Sequence, residues 1–243
     1  ALEIPDFYEV FDEAARQKAF IFWNHPGWKG PELGKWGPEQ TKLLEKKQLH
    51  GIEICNGTKY FVEAHQYAIE HDLVFIGNSD LHNPASDTER TVEGHRTMTL
   101  VFARERTVEG VREALFAGRT IVWHGNLLIG REEFLAPFFA ACLEIRPIHQ
   151  RSGTRAWVEI CNHSEVTIEL QRIGKGQPSK LTLEPLSTSL VAFRTPAQGD
   201  PEPAAYRVMN FLRGVDRPLE ATVAIPAEQP TPVSTAEEIS VGP

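Results

Sequence analysis

Long apolar runs are missing from this 243-residue chain. No stretch approaches the ~20 consecutive apolar residues needed to cross a bilayer, so no membrane is expected as a partner. No basic segment followed by an apolar one opens the chain, as a secretory leader would. It does not begin with Met, which leaves open an upstream segment or a removed leader before Ala1. Cysteine is scarce: Cys55, Cys142 and Cys161 are three in number and far apart. They form neither a CxxC clip nor a disulfide framework and read as small buried apolar residues. Positive charge is in deficit, with 25 Lys+Arg against 33 Asp+Glu and a net charge of −8. That argues against nucleic acid as the main partner, because a polyphosphate backbone needs a basic face. A cation-loaded site could still take a small anion. Neither GxGxxG nor GxxxxGK[ST] occurs, and no serine sits in a GxSxG elbow. What is present is the composition of an ordinary globular protein, 41% hydrophobic and 24% charged, long enough for one large domain or two smaller ones.

Residues 1–146 alternate helix and strand signals. Asp6, with Glu9 three residues on, opens a helix whose Phe7, Val10, Phe11 and Ala14 share a face. Apolar strands are expected at 19–23, 51–55, 73–76, 97–103 and 120–123, and helices at 38–49, 60–71, after Thr107 up to Gly118, and at 131–143. Near-continuous apolar strands separated by amphipathic helices predict a parallel sheet covered on both faces, as in an α/β barrel or part of one. A doubly wound open sheet is the alternative. From residue 147 the period changes to two. Strands at 156–160, 166–170, 181–183, 206–211 and 221–225 predict a small antiparallel sandwich over 147–228, with Trp157 in its core. Residues 229–243 are rich in Pro, Thr and Glu and are expected to be disordered.

Ligands of parallel α/β folds sit beyond the carboxyl ends of the strands. Three such ends here are polar. One is Asn24-His25, one is Asn56 with Glu53 inside its strand, and one is Asn78-Ser79-Asp80-Leu81-His82. Residues i and i+2 of an extended segment point the same way, so Asp80 and His82 can face one pocket, joined by His25 from another strand. A carboxylate and imidazoles converging at a barrel mouth suit a divalent metal. Each residue also has a plainer reading, His25-Pro26 as a turn and Asp80 as a turn or cap. Around them, Lys29 could attract phosphate and Trp28 line the pocket. Arg96, beside His95, could form a bidentate pair with phosphate. Glu53 and Asn56 could support the ligands from behind. His124 closes a strand end, and His50, His65 and His71 read as packing or surface residues.

FWNHPG, GIEICNG and GNSDLH resemble the later motifs of the PHP (polymerase and histidinol phosphatase) superfamily, distorted α/β barrels that hydrolyse phosphoesters with two or three metal ions. The order NHPGWKG, LHGIEICNG, EAHQYAIE, GNSDLH, GEHRTMTLVFARERT, REALFAGRT and NLLIGREEF, followed by a β-rich tail, resembles the Sb-PDE family of PHP phosphodiesterases. The resemblance implies the C-terminal part of a (β/α)7 barrel over 1–146 and an Ig-like sandwich over 147–228. It implies a small-molecule phosphoester substrate, a phosphodiester in particular, attacked by a metal-bound hydroxide, with two or three divalent ions of Mn, Zn or Fe. His25 would ligate a metal. Asp80 would ligate the ion held by the family's opening His-x-His, and His82 would complete a metal site or touch the substrate phosphate. No His-x-His occurs in this sequence. The chain is therefore expected to be N-terminally truncated and to carry only part of the ligand set, so the activity and the full metal complement are expected of the full-length parent. An amidohydrolase-like enzyme acting on C–N or C–O bonds, and an inactive binding or structural module, are the alternatives. Some relatives carry secretion signals, so the resemblance implies a periplasmic or secreted protein, with the cytoplasm as the alternative.

Overall fold

The structure, a computed structural model, describes residues 6–82, 91–92, 94–196 and 202–226. The tail at 229–243 lies outside them. The first part contains α1 (Phe7–Arg16), β1 (Phe22–Trp23), a 3-10 turn at Pro31–Gly34, α2 (Pro38–Glu45), β2 (Gly51–Asn56), β3 (Lys59–Tyr60), α3 (Val62–Glu70) and β4 (Val74–Asn78). There follow β5 (Thr91–Val92), β6 (His95–Arg96), β7 (Met98–Val101), α4 (Val108–Phe116), β8 (Thr120–His124), β9 (Leu127–Gly130) and α5 (Glu132–Cys142). The β-rich part comprises β10 (Leu143–Ser152), β11 (Arg155–Asn162), β12 (Ile168–Arg172), β13 (Lys180–Leu183), β14 (Ser187–Arg194), β15 (Ala204–Gly214) and β16 (Arg217–Val223). Local chemistry accounts for the helix ends. Asp6 accepts the Tyr8 N–H at 3.4 Å and Thr107 the Gly110 N–H at 3.0 Å. α4 stops before Gly118, whose φ of +67° is open to glycine without strain. α2 stops at Glu45, short of the expected 49, because Lys47 turns left-handed (φ +57°) and sends the chain into β2.

β1, β2 and β4 pair in parallel, with Trp23 opposite Ile52 and Ile52 opposite Phe75. The parallel expectation fails beyond β4. β7, β8 and β9 run antiparallel, with Leu100 opposite Ile121 and Val122 opposite Ile129. The cause at β8–β9 is the two-residue turn Gly125-Asn126, which can join only antiparallel neighbours. β4 is not laddered to β7. Its backbone is met instead by hydroxyls: Thr99 Oγ1 accepts the Gly77 N–H (2.9 Å) and donates to the Gly77 carbonyl (2.8 Å), and Thr120 donates to the Phe75 carbonyl (2.9 Å). Buried backbone groups at this seam are thereby satisfied without a continuous ladder.

β15 pairs in parallel with β9, so β13, β12, β15, β9, β8 and β7 form one seven-stranded sheet with β16 added on β15. β10, β11 and β14 form a separate antiparallel sheet. β8 and β9 divide the apolar interior. Ile121 and Leu128 join Val158, Ile168 and Phe211 on one side, while Val122 and Ile129 join Ile52, Ile54 and Phe75 on the other. β10 and β14 were not foreseen. Pro147 and the bulges after Ile145 blur the alternation of β10, and the exposed Leu190 blurs that of β14. Trp157 corrects another expectation. Ala156, Val158 and Ile160 set the inner face of β11, so Trp157 points outward and is only partly buried. All three cysteines are buried and free.

Candidate active site

The carboxyl ends of β1, β2 and β4 are tied together by one buried carboxylate. Glu53, whose side chain is 2% exposed, projects from β2. Its Oε2 accepts a short hydrogen bond from the His25 backbone N–H and lies 3.5 Å from His25 Nδ1. Its Oε1 accepts from Asn78 Nδ2 at 2.6 Å and from Asn56 Nδ2 at 3.1 Å. Glu53 thus receives a donor from each strand end and sets a fixed negative charge behind His25.

Two sharp backbone turns follow β1 and β4. His25 takes φ +31° and Asp80 φ +55°. Left-handed backbone costs a non-glycine residue roughly 1–2 kcal/mol, with Asp among the residues that visit it most readily. Beyond these turns lies a cavity of about 420 Å³ lined by His25, Trp28, Asn56, Asp80 and His82. Asp80 and His82 therefore share a cavity, though not through the alternation of an extended strand. His82 Nδ1 lies 2.8 Å from the Asp80 carbonyl. A carbonyl can only accept, so Nδ1 carries the proton and Nε2 keeps its lone pair. His25 turns Nδ1 toward Glu53, 3.5 Å from Oε2, which leaves Nε2 on the other side of the ring.

The residues at this mouth fit a divalent cation by donor chemistry. They are the His82 imidazole, held from behind through Nδ1 in the arrangement that orients metal-ligating histidines, the His25 imidazole, with the Glu53 carboxylate 3.5 Å from its Nδ1, and one carboxylate, that of Asp80. Among the described residues, no three His, Cys, Asp or Glu side chains converge tightly enough to enclose an ion by themselves.

No protein-family model and no curated protein matches the chain. Among solved structures it is similar to a two-domain protein containing a predicted PHP-like metal-dependent phosphoesterase from Bacteroides vulgatus. The two share 36% identity at a TM-score of 0.80, over 92% of this chain and 67% of that one. The chain belongs to the PHP superfamily. The similarity spans 92% of this PHP protein, so it takes in the β-rich part as well as the α/β part.

The other candidate residues of this PHP protein lie around the cavity or away from it. Trp28 sets its ring edge-on to His25 at 5.7 Å, and Lys29 Nζ stands 5.6 Å from the Trp28 ring. Lys29, His95 and Arg96 are not among the residues lining the cavity. His95 stacks on Trp123 at 3.6 Å, and burial pushes its pKa down. His124 is buried. The Thr97 hydroxyl donates to the Gly57 carbonyl and so accepts from His124 Nδ1, both at 2.7 Å. His50 accepts the Ile21 N–H at 3.0 Å, and burial lowers its pKa. His65 is fully buried against Phe75, its pKa pushed down to about 4 by desolvation. His71 stacks on Trp36 at 3.7 Å. Asn78 was missed as a site residue. Its signal was present, a polar end to an apolar strand two residues before Asp80.

Proposed function

We propose that this PHP protein takes part in metal-dependent hydrolysis of phosphoesters, with phosphodiesters as the substrate class. The observation that carries the reading is the shared cavity of His25, Asp80 and His82, with the His82 imidazole oriented from behind through Nδ1. The description of the Bacteroides vulgatus protein as a predicted PHP-like metal-dependent phosphoesterase supports it. His25 Nε2, the Asp80 carboxylate and His82 Nε2 are the proposed ligands, part of a larger set. A divalent cation there would supply Lewis acidity, lowering the pKa of water to about 7 and offsetting charge on the phosphoryl oxygens. Glu53 fixes the backbone at His25 through its N–H and places a carboxylate behind the imidazole, and Asn56 and Asn78 keep Glu53 in place. Trp28 offers an apolar wall to the organic part of the ester. Lys29 and Arg96, with His95 beside it, lie outside the cavity lining, so their proposed role is to meet ester oxygens that project beyond the mouth. In this reading the α/β part is the C-terminal portion of a distorted (β/α)7 barrel and the β-rich part an Ig-like sandwich.

The test compares turnover of bis(p-nitrophenyl) phosphate, p-nitrophenyl phosphate and p-nitrophenyl acetate with added manganese, for the full-length parent and its Asp80→Ala variant. Manganese-dependent cleavage of the diester, lost in the variant at unchanged circular dichroism, is the expected result. Undiminished turnover by the variant would remove Asp80 from the site. Cleavage of the acetate alone would move the protein to the amidohydrolase-like class.

A further inference from the structure

The outer face of the β10–β11–β14 sheet carries an unusual set of side chains. Arg155 on β11 stands directly opposite Arg194 on β14. Like charges directly opposite on an antiparallel pair repel. The acids on the same face are already engaged, Glu159 by Arg146 at 2.8 Å and His149 at 3.8 Å, and Glu144 by Arg146 and His163, each at 3.1 Å. Both arginines are exposed, and a cavity of about 530 Å³ opens beside them, lined by Thr154, Arg155, Gln177, Ala192, Phe193 and Arg194. On a chain of net charge −8 this is a local concentration of positive charge. The next position along β11 on this face is the outward-facing Trp157, flanked across the ladder by Gln150 and Ala192. Ser152 lies across from Arg155. Arg155 and Arg194 are about 5 Å apart at Cβ, and Trp157 follows about 7 Å along the strand. An oxyanion between the guanidiniums and a ring attached to it would therefore reach the indole.

We propose that this face binds an acidic sugar. Its carboxylate or sulfate is shared by Arg155 and Arg194, whose planar forks match an oxyanion. Its ring lies on Trp157, with the amide of Gln150 and the hydroxyl of Ser152 facing the sugar hydroxyls. The site is separate from the His25 cavity and does not rest on the hydrolase reading.

The experiment is calorimetric titration of the full chain with glucuronic acid and glucose 6-sulfate, against glucose and sodium sulfate at matched ionic strength. The proteins are the wild type, Arg155→Gln/Arg194→Gln and Trp157→Ala. The wild type is expected to bind at least one acidic sugar, and either substitution to weaken it about tenfold or more. The double variant keeps the wild-type melting temperature or exceeds it, since a repelling pair has gone. Binding of one acidic sugar alone assigns the anion as carboxylate or sulfate. No binding of either, equal binding by the double arginine variant, or sodium sulfate binding as tightly as the sugars would overturn the proposal.

Discussion

Replacing Glu53 by glutamine keeps the shape of the side chain and removes its charge. In the wild type its two oxygens accept from the His25 N–H, Asn56 and Asn78, with the Glu53 side chain itself buried. A carboxamide has one acceptor oxygen and one donor nitrogen. The His25 N–H cannot change its role, so the new oxygen must face it, and Asn56 and Asn78 must turn their own oxygens toward the new NH2. Three charge-assisted hydrogen bonds then become neutral ones at best. The difference is roughly 0.5–1 kcal/mol for each, about 2 kcal/mol in all. Glu53→Ala leaves the donors with no acceptor and costs more, about 4 kcal/mol. Urea unfolding with an unchanged m-value reads the stability. Manganese titration reads the second effect, a ~10–100-fold loss of affinity when the group behind a ligating histidine is altered. A Glu53→Gln protein within about 0.5 kcal/mol of the wild type, with unchanged manganese affinity, would refute the claim that this carboxylate organises the strand ends.

At Gly77 an added Cβ would stand 2.4 Å from Val122 Cγ1, so Gly77→Ala should cost about 1–3 kcal/mol by overpacking the seam between β4 and β8. Val122→Ala in the same chain should recover part of that loss in urea unfolding, and no recovery would place the cost elsewhere. The buried His65 has a pKa of about 4, below its ordinary 6.5. The unfolded chain therefore takes up the proton first. His65's contribution is complete above pH 6.5 and declines as the pH falls to 4, a loss of about 3 kcal/mol. His65→Leu should flatten the stability–pH curve by about that amount over the same window, and an unchanged slope would assign the uptake to other groups.

The residues at the carboxyl ends of β1, β2 and β4 could be read in the chain because polar side chains there interrupt otherwise apolar strands. His25, Asp80 and His82 stand out for that reason, and they line one cavity. The local geometry was not legible. Asp80 takes φ +55°, so the strand alternation that was expected to align it with His82 does not apply. Strand direction after β4 was misread because α4 looks like a crossover helix, and the Gly125-Asn126 turn was overlooked. Thr99 and Thr120 read simply as strand formers, whereas their hydroxyls close the seam to β4. That role depends on which backbone lies opposite, which no local pattern records. Trp157 is expected in the core, whereas the alternation of Ala156, Val158 and Ile160 puts it on the other face.

Manganese binding to the intact chain, followed by calorimetry for the wild type and for His25→Ala, Asp80→Ala and His82→Ala, reaches the central claim most directly. The predicted result is saturable uptake by the wild type, weakened about tenfold or more by each substitution while circular dichroism stays unchanged. The same uptake in all four proteins would mean that these three side chains do not share a cation.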